Sequence, residues 1–142
     1  DRIGMTSAVL ETDGTGTFVC SSFMYATARY WARFGLLFLQ DGVWSGERIL
    51  TEGWVEFSRS PAPNAPDGKF GAHFWLRIPE EFRCGDDPPE LPADAFHAVG
   101  YAGQFVTVVP SRKLVLVRLG LTHYPCGWNH CKHSIHHSKS GT

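Results

Sequence analysis

The sequence predicts an α+β fold, an antiparallel sheet with flanking helices, and three observations carry that prediction. Ala28, Trp31, Phe34 and Phe38 recur at three- and four-residue spacing, the mark of an amphipathic helix. Phe70, Ala72, Phe74, Leu76 and Ile78 alternate with Gly71, His73, Trp75 and Arg77, the period of a strand. Two apolar runs, 105–109 and 114–121, flank Pro110-Ser111-Arg112-Lys113, which reads as a hairpin turn. At 142 residues one domain is expected, and 43% hydrophobic with 13% aromatic residues supply a core, which excludes disorder over most of the length.

Taken in order, Thr27 can cap a helix running to about residue 40, with Arg29 and Arg33 on another face and Asp41-Gly42 ending it. The third residue after the cap is Tyr30, so the reciprocal carboxylate of a capping box is missing. Residues 44–50 read as a short hairpin through Ser45-Gly46. A short helix follows, carrying Trp54, Val55 and Phe57, which Thr51 can cap. Pro61-Ala62-Pro63-Asn64-Ala65-Pro66-Asp67-Gly68 cannot continue a helix and reads as a loop. The alternating strand 70–78 comes next. Residues 79–94, with six acids and four prolines, read as a second loop. There are no internal repeats.

Chemistry enters at Phe96-His97-Ala98-Val99-Gly100-Tyr101-Ala102-Gly103-Gln104-Phe105-Val106-Thr107-Val108-Val109-Pro110. Gly100 and Gly103 strip side chains from either side of Tyr101, so a ligand can lie against the main chain and meet its N–H groups, an arrangement suited to binding a carbonyl. The alternative is that both glycines mark a bulge or a bend. His97 stands at the edge of the same run as a candidate substrate contact, the alternative being a structural histidine. Side chains of neighbouring strand residues point to opposite faces, so it cannot simply replace a residue at position 98. His73, on a half-buried strand, reads as a hydrogen-bonded structural histidine.

Other segments add to this run. Ser21-Ser22-Phe23-Met24-Tyr25-Ala26-Thr27-Ala28-Arg29-Tyr30-Trp31-Ala32-Arg33-Phe34-Gly35, then Gly42-Val43-Trp44-Ser45-Gly46-Glu47-Arg48-Ile49-Leu50, then Gly71-Ala72-His73-Phe74-Trp75-Leu76 precede it. Leu114-Val115-Leu116-Val117-Arg118-Leu119-Gly120 follows. In this order, over residues 1–122, they resemble the C-terminal part of the serine beta-lactamase-like hydrolases, which include penicillin-binding proteins, class C beta-lactamases, related esterases and the 6-aminohexanoate oligomer hydrolases. The glycine run looks most like that of the last group.

The resemblance implies an acyl-enzyme hydrolase acting on an ester, amide or beta-lactam bond. It places the residue after the strand glycine, here Tyr101, as a backbone N–H donor of the oxyanion hole, with Gly100 and Gly103 beside the substrate. Family members attack with the serine of Ser-x-x-Lys, supported by a Tyr-x-Asn-like motif. Neither occurs here: Ser22 leads to Tyr25, Ser45 to Arg48 and Ser111 to Leu114. Ala98 and Val99 stand where the family often has Lys or His and then Thr, so the cation and hydroxyl that grip a carboxylate are absent. The expectation is a C-terminal fragment whose upstream portion carried the nucleophile, inactive alone, with sheet surface left exposed. The rival expectation is a non-catalytic decayed homologue or a small metal-binding module.

The metal-binding alternative rests on residues 123–142, expected to be an atypical, disordered tail. Cys126, His130, Cys131, His133, His136 and His137 offer soft and imidazole ligands, yet their spacing is not a standard finger pattern, so neither a metal nor any other cofactor is expected. Four cysteines without spacing logic define no disulfide framework. A net charge of −1 argues against a nucleic-acid partner. No stretch approaches the ~18 apolar residues of a membrane span. A small ester, amide or lactam is the expected partner, and compartment is unreadable.

Overall fold

In the computed structural model the described residues are 2–19, 22–79 and 91–122. β1 (Val9–Leu10) pairs with β2 (Met24–Tyr25), helix α1 (Ala28–Leu39) follows, and β3 (Val43–Trp44) pairs with β4 (Glu47–Arg48). After helix α2 (Trp54–Ser58), β5 (Phe96–Gly100), β6 (Gln104–Val109) and β7 (Leu114–Arg118) form an antiparallel sheet in the order β5-β6-β7. No helix among the described residues is long and apolar enough to cross a membrane.

Local signals set most of these boundaries. The Thr27 hydroxyl accepts from the Tyr30 N–H at 3.3 Å and opens α1. The helix closes with paired bonds, Gly42 N–H to the Leu37 carbonyl and Asp41 N–H to that of Phe38, with Asp41 (φ 51°) and Gly42 (φ 76°) both at positive φ. Ser45 (φ 50°) and Gly46 (φ 83°) make the tight turn between β3 and β4. A short 3₁₀ turn, Pro110–Arg112, followed by left-handed Lys113 joins β6 to β7. β7 ends at Arg118, earlier than the apolar run to Leu121 predicts. Tyr30 has exchanged capping for packing: its hydroxyl lies 3.0 Å from that of Thr6, and the Arg33 guanidinium sits 5.4 Å from its ring centre.

Two sequence expectations are corrected. Thr51 does not cap α2: the cap position is Gly53 (φ 78°), and Thr51 instead offers its carbonyl to the Trp54 N–H. Residues 70–78 do not form a strand. Phe70 bridges Trp75 in a tight hairpin, with the Gly71 N–H bonded to the Phe74 carbonyl and His73 left-handed at φ 66°. Tertiary packing overrides the alternation here. A Cβ on Gly71 would lie 2.3 Å from the Ser58 carbonyl oxygen and 2.9 Å from that of Ser60, so the chain turns against the end of α2 where only glycine fits.

The core is built on the sheet. On one face α1 lies across β6 and β7, so close that a Cβ on Gly35 would come within 2.5 Å of Val115. Phe38, Phe74, Phe96, Val55 and Val108 cluster there, with Phe74 and Phe96 edge to face at 5.2 Å. On the other face Phe105 and Ile78 pack with Val99 and Leu91.

Candidate active site

The candidate site is the outer edge of β5 where it runs into the turn at Tyr101. Trp75 and His97 exchange both backbone bonds, N–H to carbonyl at 2.8 Å each way. The backbone groups of His97 therefore point away from β6, and alternation turns Ala98 and Gly100 toward β6 and Val99 outward, with Tyr101 opening the turn beyond the strand. Had residues 70–78 run on as a strand, His73 would lie opposite Val99 and Gly71 opposite Tyr101. The hairpin at 70–75 removes them, and the edge beyond Trp75 is open among the described residues. No acceptor there meets the Tyr101 N–H, and Tyr101 itself is 82% exposed.

The two glycines have different reasons. Gly103 takes φ 80°, a conformation the turn requires, next to Ala102 at φ 53°. Gly100 has an ordinary φ, and a Cβ there would make only a normal contact, 3.4 Å from Gln104. Nothing in the described chain demands its missing side chain.

Gly100, Tyr101 and Gly103 are thus brought together at the hairpin tip, and His97 is not. Its ring is 2% exposed, with Nδ1 2.9 Å from Oγ1 of Thr107, its register partner on β6. That places the side chain inside the sheet and away from the open edge. Ala98 packs against the helix-side core and Val99 against the opposite one, so neither side chain offers a polar group.

Two residues not singled out from the sequence hold the tip. Arg118 donates through Nη1 to the Gly103 carbonyl and through Nη2 to the Thr122 hydroxyl, and the Thr122 N–H donates to the Ala102 carbonyl at 3.0 Å. The available signal was a cation at the end of an otherwise apolar strand. No group of three His, Cys, Asp or Glu among the described residues could hold a metal ion. Cys126, His130, Cys131, His133, His136 and His137 lie outside them.

Solved structures share this architecture. A protein assigned as a 6-aminohexanoate-dimer hydrolase from Bacillus anthracis superposes with a TM-score of 0.60 at 26% identity over 99% of this chain. A protein assigned as a beta-lactamase from Bacteroides dorei DSM 17855 does so with a TM-score of 0.61 at 14% identity over 98%. The fold is beta-lactamase-like. The chain spans 33% of the length of the first protein and 47% of the second, so it presents one part of that beta-lactamase-like fold. No protein-family model matches the chain, and no curated protein does.

Proposed function

We propose that this chain forms the strand-edge half of an acyl-transfer site, with the Tyr101 N–H as one donor of the oxyanion hole. The observation that carries this reading is the open edge of β5, left bare where the chain turns away at 71–74. A carbonyl laid against Gly100 would direct its oxygen to an N–H that meets no acceptor among the described residues. Charge developing on that oxygen in a tetrahedral intermediate is stabilised by such a preset donor, whose removal costs about 10²–10³ in rate. The donor is main chain, so the drift of Ala98 and Val99 from polar residues leaves it in place.

The nucleophile and its base are supplied, in this reading, by a segment outside the 142 residues, because no serine here has a lysine three positions on. The substrate is an ester, amide or lactam that presents no carboxylate to position 98, where an alanine packs into the core. The resemblance at 26% identity to a protein assigned to 6-aminohexanoate-dimer hydrolysis supports an amide.

Labelling by a fluorophosphonate tests this. No serine of the 142-residue chain should react. In the natural gene product containing these residues, one serine followed three positions later by a lysine should react, with loss of p-nitrophenyl ester turnover. Reaction at Ser22, Ser45 or Ser111, or a gene product with no reactive serine, would contradict the proposal.

A further inference from the structure

We infer that Arg118 is a positioning residue that fixes the turn carrying the Tyr101 N–H, holding the Gly103 carbonyl directly and, through Thr122, that of Ala102. The inference rests on the reading of that N–H as a donor and adds the device that holds its turn. The turn from β5 to β6 contains two successive left-handed residues, Ala102 and Gly103. Glycine adopts that conformation freely, whereas alanine does so against a steric penalty and persists there only when its surroundings hold it. The surroundings are specific: the Ala102 methyl is buried, the Thr122 N–H takes the Ala102 carbonyl, and Arg118 takes the Gly103 carbonyl.

Arg118 also bonds the Thr122 hydroxyl and lies 3.5 Å from the Gly120 carbonyl, so one guanidinium ties the chain leaving β7 to the turn leaving β5. Its planar fork suits this. A guanidinium reaches a carbonyl and a hydroxyl at once in fixed directions, which the single ammonium of a lysine cannot. With the Ala102 and Gly103 carbonyls both held, the turn that Tyr101 opens is fixed from its far end, two peptide units beyond the Tyr101 N–H.

The test compares wild type, Arg118→Ala, Arg118→Lys and Thr122→Val by amide exchange and ¹⁵N spectra of the 142-residue chain. Arg118→Ala should speed exchange of the Thr122 amide at least about tenfold and shift or broaden Tyr101, Ala102 and Gly103, with Ala98 and Val106 unchanged. Arg118→Lys should recover part of this, and Thr122→Val should show a smaller change at the same tip amides. Tip amides at wild-type values in Arg118→Ala would overturn the inference, as would losses spread evenly to Ala98 and Val106. If Arg118→Ala does not fold, a tip-confined change in Arg118→Lys supports the inference, and an unchanged tip overturns it.

In the natural gene product Arg118→Ala should lower kcat about tenfold to a hundredfold with KM near wild type. An unchanged kcat in an enzyme that still reacts with fluorophosphonate would sink the positioning role alone. Absence of any reactive serine would sink the donor reading while leaving the clamp measurable by exchange.

Discussion

The two halves of β5 are held differently. Phe96 and His97 are 1% and 2% exposed, and His97 is paired on both sides, to Trp75 through its backbone and to Thr107 through its ring. Two residues further on, the strand has β6 on one side only, and past Gly100 it passes into a turn secured by bonds to backbone carbonyls. The buried half sets register by side-chain identity. The open half sets the direction of main-chain groups and depends little on which side chains it carries, which suits a site whose working group is an N–H.

Truncation in the buried half should do the most damage. Phe96→Ala removes the ring that meets Phe38 and Phe74 and should cost about 3–5 kcal/mol, measured as a lower denaturant midpoint. A loss below 1 kcal/mol would erase the contrast between the halves. Gly71→Ala comes next at about 1–3 kcal/mol, because its Cβ would strike the Ser58 carbonyl. It should weaken the Trp75–His97 pair, seen as faster exchange of both amides, while Ala98 stays protected. An unchanged midpoint would show that the turn closing off the edge is not fixed by that contact. Thr107→Val removes the hydroxyl facing His97 Nδ1 and should cost about 1–2 kcal/mol without moving tip amides. Movement at Tyr101 as large as at His97 would mean the halves are coupled.

The smallest effect belongs to a second turn held by polar bonds, far from the sheet in sequence. Asp13 Oδ1 accepts from the Thr15 hydroxyl at 2.7 Å and from the Thr15 and Thr17 N–H groups at 2.9 Å each, which holds its carboxyl below the ordinary carboxylate range. A lowered folded value stabilises the turn fully above the unfolded carboxylate range, and that contribution is lost as pH falls through the folded value. Thr15→Val should move the Asp13 titration, followed by carbon NMR, toward higher pH. Identical curves would remove the hydroxyl from the account.

Much of the fold was legible because its signals are local. The Thr27 cap, the aromatic spacing to Phe38 and the turn residues between β6 and β7 act within a few positions of themselves. Residues 70–78 misled because their alternation satisfies a strand pattern, while the fact that decides them, Gly71 against Ser58, is a contact between distant segments. The glycine run marked where the candidate site lies. Which edge of β5 is left open was not readable, since it follows from Trp75 pairing with His97. Arg118 escaped notice for the same reason: a cation closing an apolar strand reads as solvent-facing until the carbonyl it meets is known.

Amide exchange at Tyr101, set against Ala98 and Val106 in the 142-residue chain, tests the open edge most directly. Ala98 and Val106 sit in a paired position of the sheet and should exchange slowly, whereas Tyr101, exposed and with no acceptor for its N–H among the described residues, should exchange at least about a hundredfold faster. A Tyr101 amide as protected as that of Ala98 would mean the edge is covered, and the donor assigned here would not be available to a substrate.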